Sequence, residues 1–397
     1  MKRKKQTPQA GKEPSFTQKR AQRRKKVRRR FFLRLFILLV IAALAAVVWF
    51  NWDTLAPEKL YGKLRDSMND SAGQFPVDLN GTEVLMLVRS QGRNVLLEKD
   101  NVVYFNDAGN EAARYPNPYS KPLMHAEGNF LLLAEQGGHR AQLMNRFGVV
   151  RELETEQNIL AASVNKKGQC ALLTEGPQGY SVEVVVFDKR GNKLYSRARG
   201  RLAMDVALSA DGKQVALLSA QAENGTLNTV MEVFSVKSAS NEAMYTYTAA
   251  DSLLYGLHYL SGGQLVAEGE DRVLLVDAKS GAMATYALGN QRLLGNAAGH
   301  TGVALALRAY GSTGNGQVVV LDENGEERCT VDFTGEFRSL RSDGDRYILL
   351  TDCGVQLISA GGATKSAQLA ADSQQAILGG KGTVVLGINS LQTYGWE

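Results

Sequence analysis

The chain has 397 residues, with 46 lysines and arginines, 40 acids and a net charge of +6. That total hides two opposite parts, because residues 1–30 carry fourteen basic side chains and one acid, while residues 53–397 carry a net charge of −8. Only three cysteines are present, which excludes a small fold held together by a disulfide framework.

Residues 1–30 form a strongly basic segment whose glutamine, lysine and arginine content predicts a disordered tail. Its one aromatic residue is Phe16, so it offers no platform on which nucleic-acid bases could stack. We therefore interpret the tail as a cytoplasmic topology signal that also contacts anionic lipid headgroups, and we expect no nucleic-acid partner.

Residues 31–52 form a long apolar segment, about 33 Å of helix at 1.5 Å per residue, which predicts a transmembrane helix. Arg34 lies near the basic end, where its side chain can reach the headgroups, and Trp49 and Trp52 lie at the other end as interface anchors. The excess of cations before the segment predicts a cytoplasmic N-terminus and an exported C-terminal domain. A cleaved signal peptide is the alternative, because residues 43–45 read Ala-Leu-Ala; the apolar run continues past them, which favours an uncleaved signal anchor.

Residues 53–74 are predicted to form a stalk between the membrane segment and the large domain. Leu60, Leu64 and Met68 recur at i, i+4 and i+8, which predicts a short amphipathic helix beginning near Pro57.

Residues 75–397 contain short apolar runs separated by glycine, asparagine and aspartate, a pattern that predicts an all-β domain. Four runs end in the same kind of turn, with an Asn or Asp opener and a later glycine, at residues 104–109, 186–191, 275–281 and 320–325. Looser copies occur at residues 144–148, 234–240 and 358–361. A repeat of about 35 to 49 residues with four strands per unit predicts a β-propeller.

The ends of the chain favour eight blades. The last unit offers three strands, at residues 374–378, 383–387 and 389–394, and residues 75–79 could supply the fourth strand and close the ring. Seven blades, with residues 374–397 as a cap, is the alternative.

Two motifs resemble known propeller repeats. Residues 208–216, Leu-Ser-Ala-Asp-Gly-Lys-Gln-Val-Ala, resemble the Ser-Pro-Asp-Gly-Lys hairpin of WD40-like bacterial propellers, and residues 276–281 resemble the Asp-x-x-x-Gly turn of quinoprotein-like repeats. As a whole the chain resembles an uncharacterised family of single-pass, membrane-anchored bacterial β-propellers, a domain of unknown function. The resemblance implies the fold and the anchor and supplies no catalytic residue.

The sequence indicates no catalytic, cofactor or metal site. Its four histidines are scattered over different repeats without the spacing of a zinc site, and no nucleophile or phosphate-binding motif occurs. A disulfide between Cys329 and Cys353 is left open. Two enzymes remain as alternatives: a quinoprotein-like dehydrogenase, although Trp396 is the only tryptophan after the membrane segment, and a propeller-type hydrolase, which needs acids that converge on the central channel.

Three connections on one predicted face are long, at residues 175–181, 220–227 and 308–316. Interface-favoured residues fall on or near them, which makes this face the candidate partner-binding surface. They are Tyr180, Arg199, Arg201, Arg292 and Tyr310. The predicted function is a non-catalytic binding or scaffold module on the outer side of the cytoplasmic membrane, with a protein or an envelope polymer as its partner.

Overall fold

The computed structural model describes residues 73–223, 225–238, 242–370 and 372–396, and positions 36 and 40 in the N-terminal part. The chain divides into two compact units, residues 1–64 and residues 65–397, and the second contains all the strands given below. The predicted basic tail, stalk helix and membrane anchors Arg34, Trp49 and Trp52 lie outside the described residues. Within the described part, none of the helical structure is long and apolar enough to cross a bilayer.

The second unit is an all-β, eight-bladed β-propeller in which each blade is a four-stranded antiparallel sheet. We call the strands of a blade A to D, from the central channel outward. Blades 1 to 4 are β2–β5, β6–β9, β10–β13 and β14–β17, and blades 5 to 8 are β18–β21, β22–β25, β26–β29 and β30–β32 with β1.

The first sixteen strands have these bounds: β1 Val77–Asp78, β2 Val84–Ser90, β3 Arg93–Glu98, β4 Asn101–Phe105, β5 Glu111–Pro116, β6 Pro122–Glu127, β7 Phe130–Glu135, β8 Arg140–Asn145, β9 Gly148–Glu154, β10 Ile159–Val164, β11 Cys170–Glu175, β12 Val182–Phe187, β13 Lys193–Arg199, β14 Leu202–Leu208, β15 Gln214–Glu223 and β16 Thr226–Ser235. The other sixteen are β17 Tyr245–Ala249, β18 Leu254–Tyr259, β19 Gln264–Gly269, β20 Arg272–Asp277, β21 Met283–Ala287, β22 Gln291–Ala298, β23 Gly302–Ala309, β24 Asn315–Asp322, β25 Glu327–Thr334, β26 Phe337–Asp343, β27 Arg346–Thr351, β28 Gly354–Ser359, β29 Thr364–Ala367, β30 Gln375–Leu378, β31 Thr383–Leu386 and β32 Ser390–Tyr394.

The ring is closed by its first strand. β1 supplies the outer strand of blade 8 and pairs antiparallel with β32, Val77 opposite Leu391 and Asp78 opposite Ser390. The two ends of the described domain therefore share one sheet, and no blade lacks a strand. The prediction of eight blades is confirmed, and the seven-blade alternative is wrong.

The repeated turns connect strands C and D, and their aspartates hold them. In blade 3, Asp188 Oδ1 accepts hydrogen bonds from the backbone N–H of Arg190 at 2.8 Å and of Asn192 at 2.9 Å. Gly191 adopts a φ of 86°, which a residue with a Cβ rarely reaches. The strand pair is bulged directly before this turn, between Val186 and Phe187. The Asx-turn prediction is thus confirmed in atomic detail.

The hydrophobic core lies between neighbouring blades. Along β15, Val215 and Leu217 pack in the cluster shared with blade 3, while Ala216 and Leu218 pack in the cluster shared with blade 5. Because side chains alternate along a strand, a stretch buried on both sides must be apolar at every position, as residues 215–218 are. This explains the continuous apolar runs of the sequence.

Two of the predicted long connections are shorter than expected. β15 continues to Glu223 and β16 begins at Thr226, and these two residues pair directly, so most of residues 220–227 is strand. Arg308 lies inside β23 and is buried, which confines the third connection to residues 310–314. Cys329 and Cys353 are both free: they lie in the outer strand of blade 6 and in a turn of blade 7.

Candidate functional site

The blade topology sorts every connection onto one of two faces. The B–C turns and the D–A connections lie at the end where strand A begins, which we call the upper face. The A–B and C–D turns lie at the opposite, lower face. All five sequence-predicted binding residues lie at the upper face: Tyr180 and Tyr310 in B–C turns, Arg199 at the end of a D strand, Arg201 in a D–A connection and Arg292 near the start of an A strand.

These five residues belong to two separate groups. Arg199 pairs with Val182 beside the turn that carries Tyr180, and Arg201 follows in the connection to blade 4. Arg292 pairs with Arg308 in blade 6, one residue from the turn that carries Tyr310. Blade 5 separates the two groups along the chain and around the ring.

The arginines of the first group are held by neighbouring side chains. The Arg199 guanidinium lies over the Phe234 ring, 4.2 Å from its centroid. Arg201 Nε donates to Gln221 Oε1 at 2.8 Å, and its Nη1 lies 3.5 Å from Glu232 Oε1. Both side chains are therefore ordered by contacts within the propeller. Arg201, whose side chain is 42% exposed, presents its charge at the surface, whereas Arg199 is half-buried.

Exposed apolar side chains concentrate on the same face. Among the described residues of the propeller, seven large apolar side chains on the upper face are each 40 to 60% exposed. They are Leu85, Tyr180, Leu202, Leu227, Tyr255, Tyr310 and Ile388. The other four lie towards the lower rim: Val149, Leu194 and Met283 at the beginning of outer strands, and Met244 directly before one.

Sequence reasoning missed most of this apolar set because a backbone irregularity creates part of it. The pairing of β18 with β19 shifts register between Leu254 and Gly256, so Tyr255 is an extra residue on the inner strand. Leu254 is buried, whereas Tyr255 is 47% exposed. Leu85 occupies the same kind of bulge in blade 1, between Val84 and Met86. A bulge redirects one side chain out of the sheet pattern, which alternation in the sequence does not reveal.

Side chains of the inner strands form hydrogen bonds that connect neighbouring blades along the channel wall. At five of the eight blade junctions, an inner-strand side chain accepts a hydrogen bond from a backbone N–H of the next inner strand. The pairs are Val164 N to His125 Nδ1 (2.9 Å), Leu208 N to Ser163 Oγ (3.3 Å), Leu257 N to Asp205 Oδ2 (2.9 Å), Ala376 N to Ser339 Oγ (3.3 Å) and Leu87 N to Gln375 Oε1 (2.9 Å). These bonds satisfy backbone groups that strand pairing within a blade leaves over.

Two histidines and two acids meet at this wall. His258 Nδ1 lies 2.9 Å from Glu268 Oε1. Burial opposes the charged form of His258, but the charge and hydrogen bond of Glu268 together with the charge of Asp205 outweigh it and raise the pKa of the imidazole above its usual value. Burial raises the pKa of Asp205 to about 6, with hydrogen bonds from the backbone of Val206 and Leu257 opposing the rise. The interpretation of His258 as a sheet residue with satisfied hydrogen-bonding groups holds for one nitrogen only. Nδ1 faces the buried carboxylate of Glu268, whereas Nε2 is buried and has no hydrogen-bond partner among the described residues.

His125 behaves in the opposite way. The side chain of His125 is exposed to the channel, and many protein atoms lie around it. The loss of hydration that they cause, together with the charge of nearby His258, lowers the pKa of His125 to about 4. Since Nδ1 accepts a hydrogen bond from Val164, the neutral ring carries its proton on Nε2.

A family model matches most of the propeller. The model describes DUF5711, a family of unknown function, and matches residues 81–392, from just before the first inner strand to within the last blade. The chain belongs to the DUF5711 family. No curated protein is significantly similar to it in sequence.

Solved propellers are similar to this DUF5711 chain in fold. BamB from Moraxella catarrhalis is 12% identical, with a TM-score of 0.50, over 81% of this chain and 99% of that chain. A eukaryotic initiation factor is 10% identical, with a TM-score of 0.54, over 81% of this chain and 85% of that chain. At such low identity the similarity shows the fold alone.

The acids of the DUF5711 channel serve structure first. Asp205 accepts two backbone hydrogen bonds, and Glu268 is 1% exposed behind the wall, where the absence of a Cβ at Gly256 leaves room for its carboxylate. In the described residues, no three His, Cys, Asp or Glu side chains are grouped to hold a metal ion. The acids that a propeller-type hydrolase needs do meet at the channel wall, but these two carboxylates are engaged by the protein itself.

Proposed function

We propose that this chain is a non-catalytic binding propeller, anchored in the cytoplasmic membrane with the propeller outside, and that it recruits a protein through its upper face. The observation that carries the proposal is the segregation of apolar side chains. Seven large apolar residues are exposed on the upper face, beside Arg199 and Arg201. The seven lie on blades 1, 3, 4, 5, 6 and 8. Exposed apolar side chains gathered on one face of a protein are typical of interaction sites.

The chemistry of this face favours a protein over an envelope polymer. Leu202 and Ile388, at 60% and 57% exposure, have no group that can hydrogen-bond to a polysaccharide. Tyrosine and arginine are enriched among the residues that dominate protein interfaces, and Tyr180 and Tyr310 are both more than half exposed. A partner that covers blades 3 to 6 could reach the roughly 800 Å² per side of a standard interface.

Site-specific photo-crosslinking in intact cells tests this proposal. A benzophenone amino acid is placed at Leu202 or Tyr310 on the upper face and, as matched controls, at Leu194 or Met283, which are apolar and 42% and 50% exposed at the beginning of outer strands. We expect one defined protein adduct from the upper positions and none from the controls. Adducts from the control positions alone, or turnover or cofactor absorbance in the purified chain, would contradict the proposal.

The membrane anchor rests on residues 31–52 and on the basic residues before them. Protease added to spheroplasts should digest the propeller, and protease added to inside-out vesicles should leave it intact. The opposite pattern would overturn the orientation. Removing residues 1–30 should weaken the contact with anionic lipid, by about 1 kcal/mol for each cation near the surface.

A further inference from the structure

The lower half of the central channel is a cavity of about 670 Å³. It opens between the A–B turns and is lined by inner strands of blades 1, 2, 5, 6, 7 and 8. The volume falls within the roughly 300 to 1,000 Å³ of small-molecule sites. The cavity lies on the opposite side of the propeller from the upper face.

The cavity wall contains a cation, Arg341, for which the described part of the chain provides no counter-ion. Arg341, on β26, is partly buried, and its guanidinium makes one hydrogen bond, to the carbonyl of its neighbour Leu340 at 3.3 Å. Among the residues that the structure describes, no carboxylate lies within 4 Å of it. Burial accordingly lowers the pKa of Arg341.

Other enclosed arginines of the propeller show what Arg341 lacks. Arg89, in the same wall, donates through Nη2 to Asp107 Oδ2 at 3.1 Å. Arg308, which is 2% exposed, donates to Glu336 Oε2 at 2.8 Å. A charge removed from water without a partner is costly, and a guanidinium matches the two oxygens of a carboxylate. The lone cation at Arg341 therefore points to an anionic group on a ligand.

A carboxylate without a partner lies across the cavity. Glu127, at the end of β6, is partly buried, and among the described residues it makes no hydrogen bond or ion pair. Burial raises its pKa, with Lys166 opposing the rise. Blade 2 lies three blades from blade 7 around the ring of eight, so Glu127 and Arg341 stand on well-separated walls of one cavity.

We propose that the lower channel binds a small zwitterion of the amino-acid class, with its carboxylate on Arg341 and its ammonium group on Glu127. Each charge of such a ligand meets a partly buried charge of opposite sign that has no ion-pair partner among the described residues. Either half of the ligand alone would leave the other protein charge uncompensated. The site does not depend on the upper-face partner, so each proposal can fail without the other.

Isothermal titration calorimetry on the full-length chain tests the site. The probes are ω-amino acids from glycine to 6-aminohexanoate, whose charges are spaced at increasing distances, and hexanoate and hexylamine are the single-charge controls. At least one amino acid should bind about 10-fold more tightly than either control, because each control loses a charge-assisted hydrogen bond. Absence of binding across the series, or equal binding of a single-charge control, would overturn the proposal.

Two variants assign the charges. Arg341→Gln should abolish binding of hexanoate and weaken binding of the amino acid to the level of hexylamine. Persistence of weak hexylamine binding also shows that the channel is still folded. Glu127→Gln should remove the preference for the amino acid over hexanoate. The matched control is Arg346→Gln on the lower rim, where the side chain is 56% exposed and pairs with Asp343, and its affinity should be unchanged. Amino-acid binding by Arg341→Gln at wild-type strength would refute the site.

Discussion

Thr229 joins two blades through a single buried hydroxyl group. It lies on β16 and is completely buried; its Oγ1 donates to the carbonyl of Ser252 at 2.8 Å and accepts from the N–H of Leu254 at 3.0 Å. Both partners belong to the segment that enters blade 5, directly before the exposed Tyr255. Thr229→Val keeps the volume of the side chain and removes both hydrogen bonds.

The expected cost is large for a change of one atom. The substitution leaves the Leu254 N–H and the Ser252 carbonyl without this partner, and each buried unsatisfied group costs about 1 to 3 kcal/mol. No cavity forms, so we expect the free energy of unfolding to fall by about 3 kcal/mol in total. For a domain of about 325 residues this corresponds to a decrease in Tm of about 4 °C.

Urea denaturation of the full-length chain, followed by circular dichroism, measures the change. Thr330→Val is the matched control, because Thr330 is exposed on β25 and its hydroxyl lies a distant 3.5 Å from Glu327 Oε2. The control should change stability by less than about 0.5 kcal/mol. If Thr229→Val costs no more than the control, the blade 4 to blade 5 junction is not held as described.

Two further substitutions test the channel wall and the closure of the ring. The pKa of Asp205 is raised to about 6 in the folded protein. Its protonation therefore stabilises the fold fully below about pH 4, and this contribution to the free energy of unfolding is lost as the pH rises through 6. Asp205→Asn should therefore gain about 2 kcal/mol relative to wild type between pH 4 and pH 7, measured by urea denaturation at both values; a constant difference would contradict the shifted pKa. A disulfide between cysteines introduced at Asp78 and Ser390, which pair directly, should stabilise the oxidised protein by about 5 kcal/mol against the reduced protein, because it links both ends of the ring. Failure of this bond to form under oxidising conditions would refute the closure.

The blade number could be predicted from the sequence because its signals are local. A turn such as residues 188–191 is stabilised by one aspartate and one glycine of its own, so four consecutive residues are enough to predict it. The missing strand of the last unit then left residues 75–79 as the natural candidate for closure, and Val77–Asp78 takes that place. The boundaries of the strands in blade 4 were less accurate, because the Asn-Gly pair at 224–225, a signal for a tight hairpin, was interpreted as part of a long connection.

The channel could not be predicted, because its residues come from distant repeats that differ in sequence. His125 and His258 are on blades 2 and 5, and Glu127 and Arg341 are on blades 2 and 7. Nothing in the local sequence of Arg341 distinguishes it from Arg308, which has a carboxylate partner. Which enclosed charges are paired depends on contacts between blades that form only when the ring closes.

The central claim is that the upper face binds a protein, and the affinity of that protein for variants of the full-length chain tests it most directly. The double variant Leu202→Ser with Tyr310→Ser removes two of the most exposed apolar side chains of this face. Leu194→Ser with Met283→Ser removes two exposed apolar side chains, at 42% and 50% exposure, from outer strands. For the protein crosslinked at the upper face, we expect the first pair to raise Kd by about 10-fold or more and the second pair to leave it unchanged. Equal Kd values for the two pairs would contradict the account.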